Sequence, residues 1–175
     1  MKELSFRTDV LPLKDELFRL ALRITLDRAD AEDVVQETML KVWNRRDTWS
    51  ELESIEAFCL TVCRNTALDK VKRADQLNTS LDDEEAQGYE QADLSYASDP
   101  EEQAVQRDRV ELVRKLIERL PEKQRTCMQL RDVEGKAYKE IALLMGITEQ
   151  QVKVNIFRAR QTIKQKFLQL EQHGL

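Results

Sequence analysis

Apolar positions recur at three- and four-residue intervals along most of the chain, the spacing of one face of an α-helix. Leu13, Leu17, Leu20, Ala21 and Ile24 mark a first helix. Asp30 is placed as an N-cap, with Asp33 at the capping-box position, for a second helix running to about Arg45. Val34, Val35, Thr38, Met39, Val42 and Trp43 form its expected buried stripe, and its other face shows Asp33, Gln36, Glu37 and Lys41. A third helix follows the cap candidate Ser54. It is apolar on nearly every side through Cys63 (Ile55, Phe58, Cys59, Leu60, Val62), then turns polar and basic with Arg64, Asn65, Asp69, Lys70, Lys72 and Arg73. A helix apolar all round at one end and basic at the other is expected to be a core element that emerges at a binding surface.

The second half repeats the helical spacing in shorter pieces. Val110, Val113, Ile117 and Leu120 give one amphipathic helix, ended by Leu120-Pro121-Glu122, with Pro121 expected at the first position of the next. That helix turns Cys127 and Leu130 inward and stops near Gly135. From Tyr138 a short helix runs to Gly146, where a left-handed cap is needed, and Thr148 with Gln151 reads as a capping box opening the last helix. Ala142 is small where two helices would cross. The result is a helix, a tight turn and a second helix, on which cap, turn glycine and apolar faces agree. Projected at about 100° per residue, the last helix gathers Val152, Ile156, Ala159, Ile163, Phe167 and Leu170 on one side. The opposite side holds Gln150, Val154, Phe157, Arg158 and Gln161, flanked by Gln151, Lys153 and Arg160. Glutamine pairs with adenine, arginine with guanine, and Val154 or Phe157 suits a thymine methyl, while Lys153 and Arg160 are placed for phosphates. The competing reading is a solvated face; two apolar residues there and basic charge without matching acids favour a DNA-reading helix.

Composition agrees with an all-α fold. Gly and Pro number only 4 and 3 of 175 residues, about a third of the usual share, which argues against turn-rich β architectures. No apolar run approaches the roughly 18 residues of a membrane span, and the first residues lack an apolar signal region, so a cytoplasmic protein is expected, not itself inserted in a membrane. The net charge of −5 makes the chain look ill suited to nucleic acid until it is divided. Residues 1–73 carry 13 basic and 14 acidic side chains, residues 74–106 carry 10 acids and no base, and residues 107–175 carry 15 basic and 9 acidic, a net of +6. The middle segment (Asp75, Asp82, Asp83, Glu84, Glu85, Glu90, Asp93, Asp99, Glu101, Glu102) has few large apolar groups and is read as an acidic flexible linker between two small helical domains.

Chemistry-bearing residues are sparse. Cys59 and Cys63 lie four apart on one helix, Cys127 stands alone, and the single histidine is His173, so no four-ligand metal set is in view and the cysteines read as core residues; no metal and no cofactor is expected. Asp27, Asp30, Glu32, Asp33 and Glu37 cluster as a metal-dependent nuclease site would require, but they sit at a helix start, where capping and the helix dipole already favour acids. No nucleophile–base pair or phosphate-binding glycine loop completes a catalytic site, and the chain is not read as an enzyme. The segment 44–53 interleaves Arg45 and Arg46 with Trp49, an arrangement that either stacks an unpaired base or plugs the loop against the core; spacing leaves both open.

Taken together, these segments resemble a known family. Residues 30–43 (DAEDVVQETMLKVW) and 58–73 (FCLTVCRNTALDKVKR) are similar to region two of bacterial RNA polymerase sigma factors, and residues 120–125 (LPEKQR), 138–142 (YKEIA) and 152–160 (VKVNIFRAR) to region four. Length, order and a variable linker match the extracytoplasmic-function class, with region two at 1–73, the linker at 74–106 and region four at 107–175. The resemblance implies that Asp33, Gln36, Glu37 and Lys41 dock on core RNA polymerase. It implies that Arg45, Arg46, Trp49, Arg64, Asn65, Asp69, Lys72 and Arg73 engage and melt the minus-ten element, holding single-stranded promoter DNA. Gln150, Gln151, Lys153, Val154, Asn155, Phe157, Arg158 and Arg160 would then read the double-stranded minus-thirty-five element. It further implies an anti-sigma partner, and an acidic linker that either imitates RNA in the polymerase or serves as a tether. Gln150 and Gln151 stand where many members have a small residue and a threonine, and Ala137 where a capping serine is frequent, so the promoter sequence read is not given by the resemblance. The alternatives from other classes are a stand-alone helix-turn-helix transcriptional regulator and a helical adaptor that binds only protein.

Overall fold

The computed structural model describes residues 3–78 and 100–173, and all regular structure among them is helical. The expectations that fall on residues 79–99, the central part of the acidic segment, lie outside the described residues. The chain enters through a π-helical turn (Phe6–Val10) and a 3₁₀ turn (Leu11–Leu13) carrying Pro12. These lead into α1 (Lys14–Thr25), which ends with Leu26 in the left-handed region at φ 58°. Helix α2 (Arg28–Asn44) is capped three residues before the expected position: Asp27 is the N-cap, and its carboxylate accepts the Asp30 N–H at 2.9 Å. Asp27 sits in extended backbone, as a cap must, whereas Asp30 is already helical. A 3₁₀ segment (Arg46–Glu51) and the Ser54 cap, whose Oγ accepts from Ala57 N–H at 3.2 Å, lead into α3 (Ile55–Asn78).

In the second half α4 (Pro100–Glu118) is followed by α5 (Glu122–Met128), a π-helical turn (Gln129–Val133), α6 (Tyr138–Met145) and α7 (Glu149–Gln172). Helices α3 and α4 therefore extend into the segment read as linker from both sides, so its ends at 74–78 and 100–106 are helical. Pro121 caps α5 in extended backbone rather than occupying its first helical position. Gly146 closes α6 at φ +67°, a conformation in which a β-carbon is strained. Thr148 and Gln151 form the reciprocal capping box: Gln151 N–H donates to Thr148 Oγ1 at 3.1 Å and Thr148 N–H to Gln151 Oε1 at 2.9 Å.

Helices α1, α2 and α3 pack mutually around Leu17, Leu20, Val34, Val42, Cys59, Cys63 and Ala67. Helices α5, α6 and α7 pack around Cys127, Leu130, Ile141, Val152 and Ile156, and α4 lies along α7. The two groups share one apolar cluster, α5 meeting α1 and α6 meeting α3. Three expected orientations differ. Trp43 is 45% exposed rather than in the α2 stripe, because the Trp49 ring fills the space beside Val42. Val110 is exposed on α4, where Leu116 and Leu120 make the buried contact instead. Arg64, expected at the basic, emergent end of α3, is buried. No helix of the described residues is long and apolar enough to cross a membrane.

Candidate nucleic-acid interface

Helix α7 carries the candidate reading surface. Its inner side is anchored by Val152, Ile156 and Ala159, all buried, and because Gly146 and the capping box fix where the helix starts, the opposite side is set in register. Gln150, Val154, Phe157 and Arg158 are exposed there, Phe157 to 63%. An exposed aromatic and an exposed valine beside an arginine suit apolar contact with a thymine methyl next to a base-edge hydrogen bond. Others among the sequence-selected residues already have work within the protein. Gln151 spends its amide oxygen on the cap, and Asn155 Nδ2 donates to the Gln151 carbonyl at 2.8 Å. Arg160 grips Asp132 through both Nε, at 3.1 Å, and Nη2, and that hydrogen bonding raises its pKa. Lys153 sits 5.3 Å from the ring centroid of Tyr138, whose ring also lies under the Arg131 guanidinium at 4.3 Å. Tyr138 and Arg131 therefore belong to the basic flank of this face. The sequence places Tyr138 at a helix start and in the region-four motif but not beside Arg131, because that meeting is made by the turn between α5 and α6.

The first three helices present a second surface. Asp33, Gln36, Glu37 and Lys41 are all exposed along α2, with Lys41 3.2 Å from Glu37 and donating to Thr66 Oγ1 at 3.1 Å. Leu40, 63% exposed, lies among them and gives this polar face an apolar centre that the periodicity did not single out. At the end of α2, Arg45 and Arg46 are exposed, and the Arg46 guanidinium covers the Trp43 ring at 4.6 Å. Trp49 is only 5% exposed: its indole N–H donates to the Val42 carbonyl at 3.1 Å and its ring meets Trp43 edge-on. Of the two readings of Trp49, this geometry is that of a plug, and the ring with an accessible edge is Trp43. Asn65, Asp69, Lys72 and Arg73 are exposed on α3, while Arg64 is turned away from them and bonded to Glu122 at 3.2 Å.

The three cysteines are buried thiols, and burial pushes Cys59 and Cys127 up to about 11 and Cys63 to about 12. Such thiols are poor nucleophiles and poor metal ligands. Among the described residues no group of three or more His, Cys, Asp or Glu side chains is placed to hold a metal ion. The acids at the start of α2 are instead accounted for by the Asp27 cap and by Lys70, which lies 3.9 Å from Asp30 and 3.5 Å from Asp33.

The chain matches the family described as Sigma-70 region 2 over residues 10–76 and that described as Sigma-70, region 4 over residues 111–163. The ECF RNA polymerase sigma-E factor of Escherichia coli K12 is 31% identical over 140 residues, covering 78% of this chain and 73% of that protein. The RNA polymerase sigma-H factor of Pseudomonas aeruginosa is 28% identical over 157 residues, covering 88% and 81%. In fold, the chain is similar to the sigma factor RpoE of Bartonella quintana, solved with the anti-sigma factor NepR, at a TM-score of 0.76 and 21% identity over 94% of this chain and 96% of that one. It is also similar to CnrH, solved with the cytosolic domain of CnrY, at a TM-score of 0.59 and 20% identity over 89% and 82%. With both sigma regions in order on one helical chain and a relative of this identity matched over most of its length, the protein belongs to the extracytoplasmic-function class of the sigma-70 family, the promoter-specificity factors of RNA polymerase.

Proposed function

We propose a division of labour for this sigma factor in which α2 docks on core RNA polymerase, the α2–α3 corner handles the minus-ten element and α7 reads the minus-thirty-five element. The observation that carries it is the outer side of α7, where Phe157, Val154, Gln150 and Arg158 are held exposed on a helix whose start and inner side are fixed. In the major groove Arg158 and Gln150 take base edges, Val154 and Phe157 take apolar contacts, and Lys153 with Arg160 takes phosphates. Gln151 and Asn155 act chiefly by holding the first turns of the helix. At the minus-ten element the exposed Arg45, Arg46, Asn65, Asp69, Lys72 and Arg73 meet separated strands, Arg64 joins them when its carboxylate partner is withdrawn, and Trp49 holds the loop.

On α2, Asp33, Gln36, Glu37 and Lys41 surround Leu40, a charged rim about an apolar centre that suits a polymerase surface. The chain acts in this reading without catalysis of its own and works in the cytoplasm, where polymerase and promoter DNA are. Similarity in fold to a sigma factor solved with the anti-sigma factor NepR supports an anti-sigma partner here too. Run-off transcription with purified core enzyme tests the function: a promoter-dependent transcript from cognate genomic fragments that is lost with Arg158→Ala and Phe157→Ala is expected. A transcript that survives both substitutions overturns the assignment of α7. A stand-alone regulator would bind its DNA site without core polymerase and would not co-purify with it.

A further inference from the structure

Gln150 and Gln151 stand side by side at the start of α7, both exposed, with the same amide chemistry and different freedom. Gln151 is the third residue of the helix and a member of its capping box. Thr148 N–H donates to Gln151 Oε1 at 2.9 Å, and Gln151 N–H donates to Thr148 Oγ1 at 3.1 Å. A backbone N–H offers a proton and nothing else, so the amide atom facing it is the oxygen. The Gln151 amide is thereby oriented, its oxygen turned back to the helix start and its nitrogen at the other end. Among the described residues Nε2 of Gln151 bonds nothing, and neither does the side chain of Gln150.

The held oxygen limits what Gln151 can read. Glutamine pairs with adenine through both ends of its amide, the nitrogen giving a proton to N7 and the oxygen taking one from N6. With Oε1 held against the backbone, that pairing requires the capping box to open. What remains is a donor with two hydrogens. In the major groove guanine shows two neighbouring acceptors, N7 and O6, whereas thymine shows one and cytosine shows a donor. Two hydrogens on one nitrogen therefore find two acceptors only on guanine. Asn155, one turn further on, donates Nδ2 to the Gln151 carbonyl at 2.8 Å and so holds the turn from which the amide projects. Arg158 continues the same line along the helix, exposed, and it too gives protons without accepting any. This edge of α7 is a row of donors; Gln150, beside it, keeps both ends of its amide and the ability to pair with adenine.

We propose that Gln151 specifies a guanine in the minus-thirty-five element, and that Thr148 is the positioning residue whose N–H denies it adenine. The inference rests on the assignment of α7 to that element made above. It gives two identical neighbouring side chains different base preferences, and it makes the helix cap a determinant of specificity with no contact to DNA of its own.

The test uses the full chain assembled with core RNA polymerase, on a promoter found by run-off transcription. Each base pair of the minus-thirty-five element is replaced in turn by the other three. The readout is the ratio of promoter binding among the four base pairs at one position, so a uniform change in affinity does not enter. Gln151→Glu keeps an oxygen for the Thr148 N–H, as the acid of a capping box does, but has no proton to give. It is expected to melt with the wild type by circular dichroism. It is also expected to lose a preference of about tenfold for guanine, on one strand at one position, with the other positions unchanged. Thr148→Pro removes the N–H that holds Oε1, and the extended backbone there, at φ −78°, already suits proline. It is expected to bring adenine level with guanine at that same position. Should Thr148→Pro fail to melt cooperatively, Gln151→Glu decides alone. A preference lost at an A·T position, or an unchanged set of preferences in Gln151→Glu, overturns the proposal. A guanine preference left intact by a folded Thr148→Pro chain overturns the role of Thr148. Arg158→Ala and Phe157→Ala judge the reading helix separately. If they alter the preferences while Gln151→Glu does not, only this proposal falls; if they too alter none, the assignment of α7 falls with it.

Discussion

Trp49 offers a sharp test because its two readings predict opposite pairs of measurements. As a plug, the ring is buried and its N–H bonds Val42. Trp49→Phe loses one neutral hydrogen bond, worth about 1 kcal/mol net, and part of the ring packing. The Val42 carbonyl is not orphaned, since it also accepts from Arg45 N–H at 3.2 Å. The expected loss is about 1–2 kcal/mol for Phe and about 3–5 kcal/mol for Ala. As a stacking platform, removal of the ring would instead weaken single-strand binding by about 1–3 kcal/mol, roughly 5- to 150-fold. Urea unfolding followed by circular dichroism reads the first quantity. Anisotropy of a labelled non-template strand on the polymerase complex reads the second. Trp43→Phe leaves Trp49 as the sole indole, and its emission is expected to be blue-shifted, shielded from acrylamide and insensitive to DNA. An unchanged urea midpoint for Trp49→Phe together with tenfold weaker strand binding would refute the plug, as would quenching of Trp49 emission by the strand.

Thr148→Ala removes the side-chain half of the α7 capping box and is expected to cost about 1 kcal/mol. That lowers the melting temperature by roughly 4–8 °C if the domain melts on its own. Gly146→Ala meets no atom within 4 Å, so its cost is backbone strain at φ +67° alone, about 1–2 kcal/mol, read in the same melt. Glu37→Lys is expected to lower affinity for core polymerase about tenfold or more by reversing a charge on the proposed docking face, measured by co-purification, with DNA binding by the proposed α7 surface unchanged. Cys59, Cys63 and Cys127 hold their protons more tightly folded than unfolded, since burial lifts them from 9.0 to about 11, 12 and 11. Their contribution to stability is thus complete below pH 9 and lost as pH rises through 11 to 12. A urea midpoint that holds steady across that range after correction for the lysines and tyrosines would contradict it.

The local signals in this sequence were decisive where their physics is local. The capping box at Thr148 and Gln151, the left-handed turn at Gly146 and the inner stripe Val152, Ile156 and Ala159 involve residues within a few positions of one another. The periodicity therefore sufficed to put Val154, Phe157 and Arg158 on one exposed side. The capping of α2 was misplaced by three residues because both Asp27 and Asp30 are competent caps, and only the backbone conformation at Asp27 chooses between them. The exposure of Trp43, the burial of Trp49 and the outward turn of Val110 were not legible, since periodicity assigns a face to the core without saying which of two aromatic rings reaches it first.

By itself, then, the sequence determined an all-helical chain of two regions, the last helix with its register and exposed face, and the family. These follow from spacing, caps and motif order, all of which act over short stretches of chain. Only the tertiary structure decided that the two regions close on one another, that Arg19 meets Glu134 across 115 residues and Arg64 meets Glu122 across 58, and that a basic residue proposed for the minus-ten surface is turned inward. Charge complementarity across such separations is fixed by how helices dock, and nothing in the local pattern around Arg64 distinguishes a phosphate partner from Glu122.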